Sequence, residues 1–181
     1  MREPRENKLR LFFALWPGAV GRAALAQWQP LLQELCGGKA MQPSTLHCTL
    51  VFLGEVDEYR LEALKLAAQE ATFRPFRLEL TGGHYWAHNH IVYAAPDSTP
   101  PPLAGLVHTL ESSLRRHRFR FERRPYKPHV TLLRHAQWSD NPLPEMDAVR
   151  WQVRRFALVQ SLSGAEGAHY RVLAHFGISQ R

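Results

Sequence analysis

The stretch Leu46-His47-Cys48-Thr49-Leu50-Val51-Phe52-Leu53 has a counterpart in Pro128-His129-Val130-Thr131-Leu132-Leu133, where the same His-x-Thr-Leu pattern returns. The two histidines are 82 positions apart (129 − 47), a little under half of the 181-residue chain. Both copies lie in apolar runs that are typical of buried strands. Because side chains alternate faces along a strand, each histidine shares a face with the threonine two positions later. If the two strands are neighbours, two imidazoles and two hydroxyls meet at one place.

One His-x-Thr sequence by itself indicates little, because a histidine in a strand is far more often a packed or solvated group than a catalytic one. Two copies in matching apolar surroundings, about half a chain apart, are much harder to obtain by accident. The repetition therefore predicts a functional pair of histidines, His47 and His129.

The composition is that of an ordinary globular protein, with 45% hydrophobic residues. No apolar run approaches the roughly 18 residues that a membrane-spanning helix needs, so no membrane association is expected. The segment from Met1 to Arg10 is charged and lacks the apolar core of a signal peptide, which predicts a cytoplasmic protein. Cys36 and Cys48 are the only cysteines, too few for a disulfide scaffold and not spaced like structural zinc ligands.

The chain is strongly basic, with a formal net charge of +7 and a pI near 9.9. Such a charge favours anionic partners such as nucleic acid, although it would also simply keep a small protein in solution. Seven Lys and Arg residues fall between positions 115 and 127, interleaved with three aromatic residues. This run either follows a phosphodiester backbone or is a charged helix end exposed to water, and the sequence leaves both interpretations open.

Hydrophobic periodicity predicts seven strands, at residues 9–16, 46–53, 76–80, 91–94, 130–133, 153–162 and 169–176. It predicts three helices, at residues 19–36, 58–72 and 103–114. Pro30 lacks an N–H, so a kink or a break is expected near Gln29. Asp57 is the expected N-cap of the second helix, and Gly54 the expected end of the first motif strand.

Further local predictions concern a helix face, two turn regions and a pair of histidines. The inner face of the first helix is expected to consist of residues 23, 24, 28, 31, 32 and 35. Residues 81–89 are interpreted as a turn or an edge region, and residues 163–167 as a hairpin loop of the longer kind. His88 and His90 lie two positions apart, but no carboxylate or cysteine is near them in sequence, so no metal site is expected there.

The order of strands and helices favours an α+β fold. Strands and helices do not alternate regularly, and no Gly-x-Gly-x-x-Gly sequence occurs, which argues against a dinucleotide-binding sheet. We expect mainly antiparallel sheets with helices outside them, in two lobes of rough internal symmetry. The whole chain, residues 1–181, is expected to be one domain with a disordered N-terminus at residues 1–8. The helix-breaking stretch from Pro96 to Pro102 is the expected boundary between the lobes.

With both motifs and their flanks in view, the chain resembles the two-histidine (2H) phosphoesterases, whose signature is a repeated His-x-Thr/Ser-x. It looks most like the bacterial RNA 2′,3′-cyclic phosphodiesterases, historically called 2′-5′ RNA ligases. The likeness rests on residues 9–15, 46–56 and 124–134 and extends from about residue 9 to about residue 177. The family fold is two lobes, each an antiparallel sheet with flanking helices, around a central cleft. Cys48 stands where an aliphatic residue is more usual, and Tyr126 where phenylalanine is common.

The resemblance implies an enzyme that opens RNA 2′,3′-cyclic phosphate ends to 2′-phosphates, and that also joins 2′-5′ ends in the reverse direction, without a metal or cofactor. It makes His47 the proton donor to the leaving oxygen and His129 the base that acts on water. Thr49, Thr131 and Arg134 would bind the phosphate. The expected partner is an RNA with a cyclic phosphate end or a small nucleotide.

The residues themselves permit this chemistry. Histidine, with a pKa near 6.5, can donate or accept a proton at neutral pH, and threonine hydroxyls can hold charge on the phosphate oxygens. Nothing in the residues tells which histidine is the acid. Arg134 lies three positions after Thr131, so it reaches the phosphate only if the strand ends or bulges near Leu133. Tyr126 either stacks on an unpaired base or is a packed side chain.

Two other functions stay open at this point. A non-catalytic module would hold an RNA end or a nucleotide such as AMP in the same cleft, and a related enzyme would act on another small cyclic or 2′-5′-linked nucleotide. Two complete motifs argue against the first, because a binding module needs neither proton-transfer group. A monomer without an obligate protein partner is expected, whereas the physiological RNA, its base preference and the direction favoured in the cell stay open.

Overall fold

The computed structural model describes residues 7–139 and 142–177. Of the predicted disordered segment 1–8, the first six residues lie outside the described part of the chain, whereas Lys8 already belongs to a strand. The three helices are α1 (Ala19–Cys36), α2 (Leu61–Gln69) and α3 (Pro101–Arg116). The strands are β1 (Lys8–Leu15), β2 (Lys39–Ala40), β3 (Cys48–Asp57), β4 (Phe76–Leu80), β5 (Gly82–Trp86), β6 (Ile91–Ala95), β7 (Val130–Arg134), β8 (Val149–Val153), β9 (Arg155–Gly164) and β10 (Gly167–Gly177).

One eight-stranded sheet organises the molecule. Its order is β10-β9-β1-β3-β7-β6-β5, and the short β2 also pairs with β7. All the pairings in this sheet are antiparallel. A separate two-stranded sheet joins β4 to β8. The prediction of an α+β fold with mainly antiparallel strands is therefore confirmed.

The two motif strands, β3 and β7, are neighbours at the middle of the sheet. They are registered through a single residue pair, Cys48 opposite Val130, whereas β1 and β3 are paired along eight positions. The two halves of the sheet therefore diverge on either side of this pair. The prediction that the motif strands lie side by side is correct, and the gap beside their one shared pair makes room for a groove.

The same β-α-β unit occurs twice at nearly constant spacing. The first unit is β1-α1-β3 and the second is β6-α3-β7. Helix α1 begins at Ala19 and α3 begins at Pro101, which is the same offset of 82 positions that separates the two motif histidines. The internal symmetry predicted from the two motifs thus extends to a strand, a helix and a second strand in each half.

The stretch from Pro96 to Pro102 is not the boundary between the two halves of the sheet. It connects β6 to α3 inside the second unit, just as Pro17 and Gly18 connect β1 to α1 inside the first. The half on the β3 side takes β9 and β10 from the end of the chain, and the half on the β7 side takes β5 and β6 from before this stretch. Prolines here end a strand and start a helix, and that local role gives the same composition as a linker.

The core lies between the sheet and the three helices. β1 is buried on both faces: Leu11, Phe13 and Leu15 belong to the main core, while Phe12 and Ala14 belong to a smaller cluster with Ala157 and Val159. Burying such a side chain contributes roughly 1.5–3 kcal/mol. The near-continuous apolar run of β1 is explained by this double burial.

Helix α3 buries the residues that its pattern predicted, whereas α1 does not bury all of the predicted face. Leu31 and Leu35 are 42% and 39% exposed, and Leu25, Gln29 and Cys36 are buried in addition to Trp28 and Leu32. The helix also continues without a break past Pro30. Buried residues on both sides of the proline hold the helix on the core, which offsets the lost hydrogen bond.

Several boundaries differ from the predicted ones. β3 does not end at Gly54 but passes through it to Asp57, because glycine accepts the positive φ of 71° that the chain adopts there. Asp57 ends this strand and caps no helix with its side chain; a 3-10 turn, Glu58–Arg60, leads into α2. Val153 belongs to β8, a strand that the prediction merged with β9.

Two of the remaining turn regions were predicted with mixed success. Residues 82–86 form the edge strand β5, in agreement with an edge region. The hairpin between β9 and β10 has a tight two-residue turn at Ala165-Glu166, with Gly164 opposite Gly167, so the prediction of a longer loop is wrong. Within the described residues, none of the helices is long and apolar enough to cross a membrane.

Candidate active site

Both motif histidines lie directly before their strands, at the point where the two halves of the sheet meet. His47 precedes β3 and His129 precedes β7. Because the strands run antiparallel from the pair Cys48–Val130, His47 lies towards Thr131, and His129 lies towards Thr49. The site therefore has an approximate twofold symmetry, with one histidine from each β-α-β unit. All four predicted residues are only partly buried and lie on the sheet face opposite the helices.

A backbone carbonyl fixes the orientation of each imidazole. Nδ1 of His47 lies 2.7 Å from the carbonyl oxygen of Thr45, and Nδ1 of His129 lies 2.8 Å from that of Lys127. A carbonyl can only accept, so Nδ1 carries the proton in both rings. In the neutral rings Nε2 is then the free acceptor, and it is the atom available for proton transfer.

Aromatic side chains surround His47 on several sides. The indole of Trp16 stacks on the imidazole at 4.8 Å with an angle of 13° between the planes. Tyr170 meets the ring edge-on at 5.1 Å, and Phe12 lies at 5.1 Å. Trp16 is itself held by a hydrogen bond from Nε1 to the carbonyl oxygen of Ser44. None of these three contacts was predicted; the signal in the sequence was the run of aromatic residues that ends at Trp16.

His129 has its own aromatic neighbours, from the other half of the sheet. Trp86 of β5 meets the imidazole at 4.7 Å and 67°, and Tyr93 of β6 meets it at 5.6 Å and 75°. Tyr93 lies directly opposite Thr131 in the sheet. Neither residue was predicted, because only the pairing of β6 with β7 brings them to the site. Each histidine is thus enclosed by rings that its own motif does not contain.

These surroundings keep both histidines neutral at pH 7 in the free protein. Burial disfavours the charged imidazolium of His47 and lowers its pKa to about 4, against the hydrogen bond to Thr45. A proton on His129 lowers it further, as does the guanidinium of Arg134. Burial also lowers the pKa of His129, and the guanidinium groups of Arg124 and Arg134 add to that effect. A phosphate bound between the two rings would act in the opposite direction and return a proton to one of them.

A β-bulge settles the direction of Arg134. Val92 is opposite Leu133, whereas the next residue, Tyr93, is opposite Thr131, so Leu132 is an extra residue on β7. Leu132 and Leu133 are both buried, and Thr131 and Arg134 are both on the open face. The bulge therefore brings Arg134 to the side of the histidines, which is the condition that the sequence analysis set for it. Its charge acts on both rings.

The first motif has the same bulge at the equivalent position. Phe13 is opposite Val51 and Ala14 is opposite Thr49, which makes Leu50 the extra residue on β3. The residue that the bulge brings to the open face is here Phe52 instead of an arginine. The two motifs therefore share a backbone geometry but offer different side chains, a guanidinium in one half and a phenyl ring in the other.

A buried glutamine from α1 holds the bulge of the second motif. Nε2 of Gln29 donates to the carbonyl oxygens of Leu132, at 3.0 Å, and Met41, at 2.8 Å. The backbone N–H of Met41 also donates to the carbonyl oxygen of Leu132, at 2.9 Å. Gly38 allows this close approach, since a Cβ there would collide with the carbonyl oxygen of Arg134. Gln29 is thus a positioning residue for Arg134 that periodicity alone did not indicate.

A groove of about 350 Å³ opens beside His129 between the two halves of the sheet. Thr49 and Phe52 of β3 form part of one wall, and Trp86 with the segment 124–127 forms the other. Its mixture of aromatic, hydroxyl and basic side chains suits a ligand with a flat ring and a phosphate. His47 is not among the residues that line this groove, so the open space lies mainly on the side of His129.

Tyr126 lines the groove, but its hydroxyl is engaged within the protein. The hydroxyl donates to the carbonyl oxygen of Thr49 at 3.1 Å and lies 3.6 Å from Sγ of Cys48. Burial raises its pKa well above the ordinary value, so it stays a donor at any moderate pH. This bond ties the segment before β7 to the motif of β3. Of the two predicted roles, packing is therefore supported by a direct contact, and base stacking stays a prediction.

His88 and His90 have different surroundings in the structure. His88 lines the groove, and Nδ1 of His90 lies 3.2 Å from the hydroxyl of Tyr85. Nowhere in residues 7–139 and 142–177 do three or more His, Cys, Asp or Glu side chains form a group that could hold a metal ion.

Comparison with known proteins places this geometry in a family. Residues 17–165 match the family model described as the 2′-5′ RNA ligase superfamily. The RNA 2′,3′-cyclic phosphodiesterase of Thermus thermophilus is 31% identical over 94% of this chain and 90% of its own length. The protein of the same name from Escherichia coli is 29% identical over 99% of this chain and 100% of its own.

Solved structures agree with this placement. The structure of E. coli LigT in apo form superposes with a TM-score of 0.84 at 29% identity, covering 96% of this chain and 99% of that one. The structure of E. coli LigT complexed with 3′-AMP gives a TM-score of 0.83 at 28% identity, over 96% and 100% of the two chains. The similarity therefore extends over nearly the whole fold and includes the sheet that carries both motifs.

Proposed function

Because the chain belongs to the 2′-5′ RNA ligase superfamily, we propose that it hydrolyses RNA 2′,3′-cyclic phosphate ends to 2′-phosphates by acid–base catalysis with two histidines. The observation that carries this proposal is the convergence of His47 and His129 beside Cys48–Val130, each fixed by a carbonyl so that Nε2 is available. The named relatives act on the same kind of RNA end. Reverse joining of 2′-5′ ends uses the same groups, since proton transfers are reversible.

The reaction is an in-line displacement at phosphorus. Water attacks on one side while the sugar oxygen leaves on the other, so one group must take a proton and another must give one. In the proposal His129 deprotonates the water, and His47 protonates the 3′ oxygen as the P–O3′ bond breaks. The phosphate stays on O2′. After turnover His129 carries the proton and His47 has lost one, so exchange with water restores the starting state.

The remaining residues stabilise the charge that grows on the phosphate oxygens. Thr49 and Thr131 stand at equivalent positions of β3 and β7, each two residues after its histidine, and Arg134 adds a full positive charge from one side. Groups that are fixed in position before the reaction stabilise such charge most effectively. The bulge held by Gln29 supplies this fixed position for Arg134.

His47 is neutral in the free protein, although its proposed role requires a proton. The negative charge of the cyclic phosphate raises the pKa of any imidazole beside it, so His47 gains its proton when the substrate binds. Aromatic packing by Trp16 keeps water away from this ring and strengthens the effect of the phosphate charge. His47 therefore becomes the catalytic acid only when the substrate binds, and it is neutral in the free protein.

A second candidate is a phosphoesterase for another small cyclic or 2′-5′-linked nucleotide. The groove beside His129 favours it as much as an RNA end, since about 350 Å³ accommodates little more than one nucleoside. A nucleotide ligand is further supported by the relative that was solved with 3′-AMP. A non-catalytic binding module receives less support, because both histidines have the orientation that proton transfer requires.

The proposed enzyme is a cytoplasmic monomer without metal or cofactor. Both histidines, both threonines and Arg134 come from one chain, so the site needs no partner subunit. Cys36 and Cys48 are both free and buried, which suits a reducing compartment. The mass in solution, measured by light scattering, tests the monomer separately from the activity.

The function is tested with an RNA oligonucleotide that ends in a 2′,3′-cyclic phosphate, incubated with the protein in EDTA. Phosphorus NMR identifies the terminal group. We expect conversion to a 2′-phosphate by the wild type and at least a 100-fold lower rate for His47→Ala and His129→Ala. His169→Ala is the matched control, because His169 is exposed on β10 away from the site. A cyclic end that stays intact with the wild type would contradict the proposal.

A further inference from the structure

The groove beside His129 continues onto a surface of unpaired positive charge. Two carboxylates line the groove, Glu111 and Glu122, and each is neutralised by an arginine. Nη2 of Arg115 lies 3.2 Å from Oε2 of Glu111, and Nη2 of Arg124 lies 3.4 Å from Oε2 of Glu122. Neither acid therefore cancels the charge of any other basic residue nearby.

Three further arginines in the same segment have no carboxylate partner within the described part of the chain. Arg118, Arg120 and Arg123 are all exposed, and none forms a hydrogen bond or ion pair through its guanidinium. Arg123 only lies over the ring of Phe121, at 5.8 Å. We name Arg118, Arg120 and Arg123 the arginine ledge. Its charges are available to an anionic ligand from solution.

The ledge adjoins the groove. Burial alternates along the segment: Phe119 is buried, Arg120 is exposed, Phe121 is partly buried, and Glu122 is exposed and lines the groove. Arg123 lies between Glu122 and Arg124, both of which line the groove. Arg118 and Arg120 lie within four positions of Glu122 on the same exposed segment.

The ledge is also held in place, although it contains no regular secondary structure. The backbone N–H of Glu122 donates to the carbonyl oxygen of Phe52 at 2.8 Å, which fastens the segment to β3. The guanidinium of Arg60 donates to the carbonyl oxygen of His117 at 3.1 Å and lies 4.0 Å above the ring of Phe119. A ligand that binds the ledge thus needs to order little of it.

We infer that the substrate is the end of a single-stranded RNA, and that the strand 5′ to the terminal nucleotide leaves the groove over the arginine ledge. Regularly spaced phosphates are the ligands that an exposed run of unpaired arginines recognises without regard to base sequence. The inference rests on the proposed function and refines its substrate. A free cyclic mononucleotide would fill the groove but leave the ledge unoccupied.

The first experiment measures kcat/KM for cytidine 2′,3′-cyclic phosphate and for oligonucleotides of two, four and eight nucleotides with the same end. We expect kcat/KM to rise at least 10-fold from the mononucleotide to the octamer, because added phosphates reach the ledge. The mononucleotide reports the proposed function by itself. If it is hydrolysed and kcat/KM does not rise with length, the ledge has no role and the proposed function stands.

The second experiment uses Arg120→Gln/Arg123→Gln. This double variant should lose most of the length effect while its rate on the mononucleotide stays within twofold of the wild type. Arg74→Gln/Arg77→Gln is the matched control, with the same loss of charge. Both of those arginines are exposed near β4, which belongs to the separate two-stranded sheet. An equal loss in both double variants would show a general effect of net charge and overturn the inference.

Salt dependence gives an independent reading that needs no catalysis. Binding of the octamer is followed by fluorescence anisotropy at 50 and 200 mM salt. Four phosphate contacts on single-stranded RNA, three at the ledge and one at Arg134, predict roughly a 50-fold loss of affinity for the wild type, and the two contacts that remain in Arg120→Gln/Arg123→Gln predict roughly a sevenfold loss. The same salt response in both proteins would overturn the inference, whether or not the octamer is hydrolysed.

Discussion

The two halves of the site have the same backbone and different side chains. His47 and His129 are both fixed through Nδ1, and both motifs bulge at the residue after the threonine. The bulge then brings forward Phe52 in one half and Arg134 in the other. A repeated unit thus supplies the symmetric part of the site, one fixed imidazole from each half. In the proposed reaction, the differences between the halves decide which histidine is the acid and which is the base.

The surroundings of the two histidines differ in a related way. His47 lies under a stacked indole and has the more strongly lowered pKa, whereas His129 borders the groove. One histidine is therefore shielded from water and the other has open space beside it. This arrangement suits an acid that is charged only by its substrate and a base that meets water. The predictions below test how far this difference extends.

The largest effect is expected at the two histidines, and a changed leaving group separates their roles. His47→Ala and His129→Ala should each lower kcat by roughly 10²–10⁴-fold on the normal substrate. Sulfur in place of the 3′ oxygen leaves as a thiolate and needs no proton. We therefore expect this substrate to restore the rate of His47→Ala at least 10-fold, and not that of His129→Ala, in single-turnover kinetics.

The sulfur experiment decides between the two assignments of acid and base. Restoration of His129→Ala instead of His47→Ala would reverse the proposed roles. Equal restoration of both variants would mean that the halves are functionally equivalent. The wild type with both substrates serves as the control for binding of the sulfur analogue.

The next largest effect is expected where the motifs differ. Arg134→Gln removes a charge that stabilises the phosphate oxygens, and kcat should fall roughly 10²–10³-fold with a smaller change in KM. Phe52→Leu, at the equivalent position of the other motif, should change KM more than kcat, because Phe52 lines the groove and carries no charge. Steady-state kinetics on the mononucleotide measure both. Equal losses of kcat in the two variants would contradict the asymmetry.

A matched pair of variants distinguishes the charge of Arg134 from its position. Lys39 of β2 is exposed and lies opposite Arg134 of β7 in the sheet. Lys39→Gln removes a neighbouring positive charge and should leave kcat nearly unchanged. Gln29→Met keeps Arg134 but removes the amide that holds Leu132. We expect it to lower kcat less than Arg134→Gln does. Unchanged kcat in Gln29→Met, with the fold intact by circular dichroism, would remove its positioning role.

The stability of the protein should depend on pH because of His47. Its pKa is about 4 in the folded protein, against an ordinary value of 6.5, so the unfolded state binds more protons between these two pH values. The free energy of unfolding should therefore be largest above pH 6.5 and fall as the pH drops towards 4. At about 1.4 kcal/mol for each pKa unit, the loss is up to about 3 kcal/mol.

Chemical denaturation at a series of pH values measures this dependence. His47→Gln should flatten the curve between pH 4 and 6.5 more than His129→Gln does, because the pKa of His47 is lowered further. Trp16→Ala should also flatten it, since removing the stacked ring opens the imidazole to water. A curve for His47→Gln that matches the wild type would show that burial does not hold this histidine neutral.

The smallest effect is expected at the hydrogen bond from Tyr126 to Thr49, which joins the two halves of the site. Tyr126→Phe removes the hydroxyl that donates to the carbonyl oxygen of Thr49, and should lower the free energy of unfolding by about 1 kcal/mol. Activity on the mononucleotide should change only slightly. Tyr170→Phe is the control, because its hydroxyl has no hydrogen-bond partner among the described residues. A large loss of activity in Tyr126→Phe would indicate that the hydroxyl contacts the substrate.

Much of the site could be read from the sequence because its key feature is a repeat. Two identical four-residue patterns in apolar runs predict neighbouring strands, and the alternation of side chains then predicts the shared face of histidine and threonine. The long amphipathic pattern of α3 was equally readable, since its buried residues follow a single helical period. These inferences needed only local order along the chain.

Other predictions failed where a local signal had two physical origins. Prolines near residue 100 end β6 and start α3, but they have the same composition as a linker, so the boundary was misplaced. The apolar stretch 149–162 contains two strands that join different sheets, and its composition does not show the break at Arg154. The rotated face of α1 reflects packing of Gln29 against β2 and β7, which periodicity does not contain.

The sequence by itself determined the fold class, the two histidines and the two threonines, because repetition and alternation are properties of the chain. Only the tertiary structure decided that Arg134 lies on the same side of the sheet as the two histidines, that Trp16 and Tyr93 contact these histidines, that Gln29 holds the bulge, and that Tyr126 joins the halves. The physical reason is that a bulge, a ring contact or a buried hydrogen bond depends on which strands and helices become neighbours. That choice is made by the packing of the whole chain.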